Sequence, residues 1–522
     1  MKKRISILLA LALMIAAFAA CSAPTTDSSS AVTDGGSSSS TSGTSADGKD
    51  SVVIRVESPW ATFDPMKASL YVDYYEINQM YESLVWVDDE SVVQPVLAES
   101  WEISADGKEY TFNIRQGVRF HNNEELKASD VVFTYNTAMN EAALMSNFGP
   151  TKSVEAIDEY TVKLTLDNAF APLLAFLGNI RIINEKFYNE NGGELHSVAC
   201  GTGPYQLEST TPNVDCSMTA FPDYWQGEAS IKNILFTIIT DNTTATVAYM
   251  AGEVDFISTA ASQYLEIEAV PDKYSFIAIP TKHTALIYMN TEYAPFDNKT
   301  LRKAIQHCVD RETMIQVAFE GFAKPAYLQG DESSFGVDYD YVQYYDYDLD
   351  KARELLAEAG YADGLNLGQI ITTSGSYMEK CAVVLQAALA EVGCALEVLA
   401  MENTAMTDMT RSGDYGMMTG GQSFASDFAY ARRQYHSEGI GLNNYSRLYV
   451  PRIDEIFELA EVETNPEVRK SLYGEAIEII NEDAAMIPMF HRNLLFAWTK
   501  GLDCVVHPDS YYPYFVYNWS WS

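Results

Sequence analysis

Positive charge is scarce in this chain: 34 Lys and Arg stand against 72 Asp and Glu, giving a formal net charge of −38. So acidic a balance excludes counterion-driven binding to nucleic acid and direct docking on anionic lipid heads. Its plain consequence is a soluble, self-repelling surface. Cysteine is sparse too, and beyond Cys21 the remaining Cys200, Cys216, Cys308, Cys381, Cys394 and Cys504 lie far apart. That spacing gives no disulfide framework. Cys504 with His507, and His196 with Cys200, are single pairs with no second pair nearby, so no zinc site is expected. Asp346, Asp348 and Asp350 fail as a calcium loop, because Lys351 replaces the required Gly and Ala357 the required Glu. The chain has no HExxH, and GQSFA at 421–425 has Ala where a nucleophile elbow needs its second Gly. GTGP at 201–204 is not followed by Gly-Lys-Ser, which removes a phosphate cradle. A long C-terminal membrane segment is also missing. These absences point away from catalysis, metals and cofactors, and toward recognition.

What is present begins with a leader. Lys2, Lys3 and Arg4 precede an apolar run from Ile5 to Ala17, and Phe18-Ala19-Ala20-Cys21 closes it. Charge, length and small-residue exit are those of a secretory signal over 1–20, and the run is too short to span a membrane. A Cys directly after the small pair resembles the lipobox of bacterial lipoproteins, with Phe18 where a branched aliphatic is usual. It implies lipid attachment at Cys21. Residues 21–50 are rich in Ser, Thr and Gly, with Val32 the only branched aliphatic. Such a segment cannot bury enough apolar surface to order itself. As a flexible tether it reaches on the order of 30 Å. The expected location is extracytoplasmic, held at the cell membrane by an N-terminal lipid.

The rest is long enough for two or three lobes. YTFNIR (110–115) and YTVKLTL (160–166) alternate in polarity as half-buried strands do. Tyr377 to Val392 reads as a helix with Cys381, Val384, Leu385 and Ala388 on one stripe, ended by Gly393. Flanking strands at 370–373 and 395–399 make a strand-helix-strand unit, which assigns an α/β class. Asp348 or Asp350 is a cap for a helix over 351–359, and Asn465-Pro466 opens another that buries Leu472, Ala476, Ile479 and Ile480. Asp106-Gly107 turns a hairpin, Ser129-Asp130 caps a helix starting DVVFTYN, and Asp297 caps a helix burying Leu301, Ala304, Ile305 and Cys308.

Several blocks also carry a resemblance. In order they are FDP (63–65), MYESLVW (80–86), PVLAESWEISADGKEYTFNIRQGVRFHNNEELKASDVVFTYN (95–136), GTGPYQLE (201–208), DYWQG (223–227), AGEVDF (251–256), MNTEYAPFDNKTLRKAIQHCVDRE (289–312) and YDLDKARELLAEAGY (347–361). The series, spanning the chain from about residue 52 to its end, resembles the peptide/nickel branch of the family 5 extracellular solute-binding proteins of ABC transporters. Two departures are visible: NNEELKASDV lacks the common Gly after FH, and the presumptive ligand loop lacks its usual Pro. The resemblance implies a two-lobed, periplasmic-binding-protein-like α/β fold of type II with an extra subdomain at roughly 88–197. Lobe one would be 51–284, lobe two 285–488, and 489–522 would return to lobe one. Crossings near 284–290 and 487–496 would form a hinge, with ligand enclosed between the lobes.

The implied function is a monomeric substrate-binding lipoprotein that captures short peptides and delivers them to an ABC permease. Binding of a nickel chelate or another small cationic solute, kept open by His436 near the loop, is the alternative within the same class. A sensory or adhesion lipoprotein retaining the fold is the alternative outside it. In peptide-binding relatives a loop Asp meets the peptide amine behind a packing aromatic. In GGQSFASDFAYARRQYH (420–436) the matching positions are Asp427 and Phe424, with backbone groups of Ala425 and Ser426 available to an extended peptide. The competing role for Asp427 is a cap for 428–434. Arg411, Arg432 and Arg433 are read as solvated, and Trp60, Tyr71, Tyr74, Tyr75 and the terminal SYYPYFVYNWSWS as packed aromatics.

Overall fold

The computed structural model describes residues 49–423, 426–509 and 511–522. The expected signal segment, Cys21, the tether through residue 48, and Phe424 and Ala425 of the ligand loop lie outside the described residues. Lys49 and Asp50, given to the tether by composition, are instead bonded to the folded body. Lys49 Nζ pairs with Asp255 Oδ1 at 2.5 Å and lies over the Trp521 ring, while the Asp50 carbonyl accepts from Lys232 N–H at 2.5 Å.

The fold is α/β and two-lobed, and period-two burial explains how its second lobe is layered. Along the strand Tyr274–Met289, Ala285, Ile287 and Met289 enter one apolar cluster while Leu286 and Tyr288 enter another. Ile370 and Ile371 divide in the same way, as do Met417 and Met418. Successive side chains of a strand point to opposite faces, so strands that are apolar on both faces require helices on both sides. Lys299–Gln306, Arg311–Phe319, Leu349–Glu358 and Tyr377–Glu391 supply one layer; Pro451–Val462 and Pro466–Asp483 supply the other. Asn366–Thr373 and Ala395–Met401 are parallel neighbours flanking Tyr377–Glu391, as the strand-helix-strand reading expects. On the stripe of that helix Cys381, Leu385 and Ala388 are buried and Val384 is partly buried.

Lobe one is built on Ser51–Val56, which runs parallel to Asn233–Ile238 and Phe256–Ser258, continued by Asp215–Ala220 and Tyr205–Thr211. A separate antiparallel sheet of 4 strands lies between Ala98 and Leu166 and contains the predicted hairpin, with Gly107 at φ +68° in its turn. Gly201 and Gly203 are required by approach: a Cβ at Gly201 would lie 2.0 Å from the Met80 carbonyl oxygen, and one at Gly203 2.6 Å from the Met80 carbonyl carbon.

Two strands link the lobes. Tyr274–Met289 and Met486–Thr499 pair antiparallel over most of their length, but the register shifts between Pro280 and Thr284. Proline has no N–H to give a ladder, so the break falls where the sequence places Pro280. The caps show smaller corrections. Asn298, not Asp297, caps Lys299–Gln306 by accepting from Thr300 and Leu301 N–H at 3.0 and 3.2 Å. The helix expected at DVVFTYN begins earlier, as Ala128–Met139, with Asp130 reaching back to Lys127 N–H at 3.0 Å. Asp348 caps Leu349–Glu358, and Asn465 caps Pro466–Asp483.

One buried group in lobe one resists the packing around it. Both carboxyl oxygens of Glu76 are buried without a hydrogen-bond partner. Burial first, then the neighbouring Asp73 and Glu57, push its pKa well above the usual Glu value. The folded state therefore keeps a proton that the unfolded chain releases above its ordinary pKa, so Glu76 costs stability increasingly as pH rises. Glu76→Gln is expected to melt higher than the parent at pH 8, with the gap closing at pH 4. Differential scanning calorimetry checks this, and an equal gap at both pH values would exclude the assignment.

Candidate functional site

A cleft opens where the lobes face each other across the linking ribbon. Its central cavity, about 470 Å³, has Tyr74, Asn179, Asp509, Tyr511 and Tyr512 on the lobe-one side. Gly421, Gln422, Ser423, Tyr430 and Arg433 line the other side, with Lys282 and His283 between them. A neighbouring space of about 560 Å³ shares Ala143, Asn147, Tyr430 and Arg433 with it. A narrow recess of about 60 Å³ reaches on to Ser426 and Asp427. Volumes of this size suit small-molecule ligands.

Each wall follows from local chain geometry. The register shift leaves residues 281–283 without ladder partners on Met486–Thr499, where Thr281 Oγ1 instead donates to the Arg492 carbonyl at 3.0 Å, and a bulge re-aims the side chains it carries. Lys282 and His283 come from that interruption. Lys282 is 7 % exposed, and among the described residues it forms no ion pair. Burial, then the charges of Arg492 and His491, hold the His283 pKa down at about 3, so the ring is neutral. Its Nδ1 lies 3.3 Å from Ser423 Oγ. A Cβ at Gly421 would lie 2.5 Å from His283 Nε2, so glycine keeps that ring against the strand.

Met417–Ser423 pairs with Tyr274–Met289 along its whole length on one side. On the other side its pairing with Asn366–Thr373 ends at Met418. From Gly420 to Ser423 the outer edge therefore has no strand partner among the described residues, and Gly421 to Ser423 face the central cavity.

The lobes touch around Tyr430. Asn179 Nδ2 donates to Tyr430 Oη at 2.9 Å, Tyr512 Oη donates to Asn179 Oδ1 at 3.4 Å, and Phe176 meets the Tyr430 ring edge-on with centroids 4.5 Å apart. Ala171 N–H also donates to the Glu461 carbonyl at 2.7 Å, and Ser91 Oγ to the Ser333 carbonyl at 2.5 Å. Burial, foremost, raises the Tyr74 and Tyr430 phenols above their usual range, keeping them neutral.

Of the expected site residues, Ser426 and Asp427 line the narrow recess, and their hydrogen bonds are already committed. Arg469 Nη2 donates to Asp427 Oδ1 and Oδ2 at 2.6 and 2.5 Å, and Ala429 N–H donates to Oδ1 at 2.8 Å. Asp427 thus caps Phe428–Ala431, the competing role named for it, and its charge is matched within the protein. The Ser426 carbonyl accepts from Phe335 N–H at 2.8 Å. His436 is buried beside Asp454 and Glu438 and does not line the cleft. Tyr74, Tyr511, Tyr512 and Arg433, read as packed or solvated, are cleft wall, whereas Tyr75, Tyr514 and Trp519 are core as expected. Arg432 is paired with Glu438 and Glu461 at 2.9 and 3.0 Å. Lys282 and Asn179 were not foreseen; the only local signal for Lys282 is the neighbouring Pro280.

The family model described as "Bacterial extracellular solute-binding proteins, family 5 Middle" matches residues 92–441. The glutathione-binding protein GsiB of Salmonella typhimurium is 27% identical over 470 residues, covering 86% of this chain and 91% of its own. Among solved structures, the ABC transporter substrate-binding protein CtaP of Listeria monocytogenes superposes with a TM-score of 0.82 at 25% identity, covering 91% of this chain and 99% of its own. HbpA2 of Haemophilus parasuis gives 0.81 at 25% identity, covering 90% and 100%. The chain belongs to the family 5 bacterial extracellular solute-binding proteins. It is a non-enzymatic, extracytoplasmic substrate-binding component of an ABC transporter, working with a membrane permease. Among the described residues no helix is long and apolar enough to cross a membrane.

Breaking one side of a buried ion pair leaves the other charge uncompensated. Asp427→Asn is expected to lower unfolding free energy by about 3–5 kcal/mol, measured by denaturant titration. Arg433→Ala, at an exposed position without an ion pair, should change it by less than about 0.5 kcal/mol. A loss below about 1 kcal/mol in Asp427→Asn would show that the pair does not hold the loop.

Proposed function

We propose that the chain binds short peptides in the cleft and presents them to its permease, with the lobes closing about the linking ribbon. The observation that carries this reading is the unpaired strand edge at Gly420–Ser423 beside a 470 Å³ cavity. A strand edge offers alternating N–H and C=O groups to another extended backbone, so main-chain bonds hold the ligand whatever its side chains. Tyr74, Tyr430, Tyr511 and Tyr512 add flat, amphipathic surfaces for those side chains. GsiB, named for binding glutathione, is a relative whose ligand fits the same scale. Asp427, in this reading, holds the loop in place through Arg469, and Ser426 borders the ligand space. Phe424 and Ala425 are proposed as further ligand contacts. A bare cation is disfavoured by Lys282 and Arg433 in the same wall.

The lobes are proposed as 51–284 with the 88–197 subdomain, 285–488, and the return at 489–522, with the ladder break at Pro280 to Thr284 as the flexing point. A monomer anchored through lipid at Cys21 completes the proposal, and metabolic labelling with a fatty acid tests the anchor. For the ligand, calorimetry with tri- and tetrapeptides is expected to give one site per chain. N-methylation of a central amide, which removes one main-chain donor, should weaken binding about tenfold, the worth of one hydrogen bond of about 1.4 kcal/mol. Equal affinity for methylated and parent peptides would overturn strand addition. Absence of binding by every peptide would overturn the peptide reading itself.

A further inference from the structure

The sign of charge reverses inside the cleft. In a chain with formal net charge −38, the central cavity is lined by Lys282 and Arg433, with Asp509 its only carboxylate. Neither cation forms an ion pair among the described residues. Arg433 lies over the Tyr430 ring at 5.6 Å, which orients its guanidinium without neutralising it. A third cation stands behind them. Arg492 lies on Met486–Thr499 opposite the broken part of the ladder, its Nε is buried without a partner, and its charge acts on His283 and Tyr511 of the cavity wall.

The nearby acids offset these charges only in part: Glu57 acts with Arg492 on Tyr71 and Tyr75. Asp427 is matched by Arg469, and Glu461 by Arg432. Asp88 and Asp89 border the narrow recess, which Lys282 and Asp509 also line; Asp88 there accepts from Gln94 Nε2 at 2.7 Å and Asp89 lies 2.9 Å from His507 Nδ1. Asp509 accepts from Tyr511 N–H at 2.7 Å, and the Lys282 charge acts on it. A simple zwitterionic peptide offers one ammonium, which Asp509 can meet, and one carboxylate. That leaves cationic groups in a partly desolvated space without a counter-charge, which is costly unless the ligand supplies it.

We infer that the cleft selects ligands with more carboxylates than ammonium groups, acidic peptides above all, with Arg433 and Lys282 binding the additional carboxylate. This rests on the peptide reading for the ligand backbone but adds a charge requirement of its own. A carboxylate held by a guanidinium or ammonium through charge-assisted bonds is favoured over its neutral amide by about 1.5–3 kcal/mol. Discrimination on the order of tenfold or more follows.

The test is calorimetry on the full chain with Ala-Glu-Ala, Ala-Gln-Ala and Ala-Lys-Ala, and with glutarate as a carboxylate lacking any peptide bond. The expected order is Glu above Gln by about tenfold or more and Lys weakest, with the Glu-over-Gln preference shrinking as salt rises. Arg433→Gln and Lys282→Met should each reduce that preference at least fivefold, on the scale of one lost charge-assisted bond. Melting curves confirm that each variant is folded, and Arg433→Gln, at the exposed position, serves if Lys282→Met is unstable. Equal affinities for Glu and Gln peptides would overturn the charge inference and leave the peptide reading standing. Binding of glutarate but of no peptide would do the reverse, and binding of none of the probes would remove both.

Discussion

The ribbon of two antiparallel strands, Tyr274–Met289 and Met486–Thr499, is the element on which the rest depends. Each strand is buried in lobe two at one end and belongs to lobe one at the other, so the lobes share continuous backbone rather than a loose linker. Continuity fixes which faces oppose each other. The ladder break between Pro280 and Thr284 concentrates any bending in a few residues, because unpaired backbone bends more easily than a hydrogen-bonded ladder. The same break exposes Lys282 and His283 to the cleft. In the proposed reading, one local irregularity thereby sets both where the lobes flex and what a ligand meets there.

Charge is handled differently in scaffold and cleft. Buried scaffold arginines find partners: Arg469 with Asp427, Arg302 with Asp483, and Arg311 with the carbonyls of Ala326, Pro488 and Tyr345. Cleft cations keep theirs unspent. A protein whose ligand pocket is already internally neutral gains little from an ionic ligand, because every new contact must displace an old one. Lys282 and Arg433 form no ion pair among the described residues, which in the proposed reading leaves that interaction to the ligand. The chain as a whole, by contrast, is strongly acidic.

Much of the scaffold was legible. Tyr377–Glu391 and its flanking strands, the helices opened by Asp348 and Asn465, and the hairpin at Asp106-Gly107 follow from periodicity, caps and turn chemistry, which act over a few residues. Cap positions slipped by one or two residues, as at Asn298 and Lys127, because Asp and Asn serve almost equally well as caps and sequence alone does not rank neighbours. The candidate site was only partly legible. Asp427 was singled out by the family resemblance, but its bond to Arg469, forty-two positions away, is set by how Pro466–Asp483 packs on that loop. Tyr74 and Tyr511 read as core aromatics because a half-buried tyrosine and a cleft tyrosine have the same local pattern.

Composition and ordered short motifs by themselves determined the α/β class, the family and the recognition role, since strand and helix periodicity and turn residues are encoded locally. Tertiary structure alone decided which charges are neutralised and which line the cleft. Those roles depend on distances between residues brought together from far along the chain, such as Lys282, Arg433 and Asp509. No window of sequence contains such distances, because electrostatic pairing is fixed by packing and not by order.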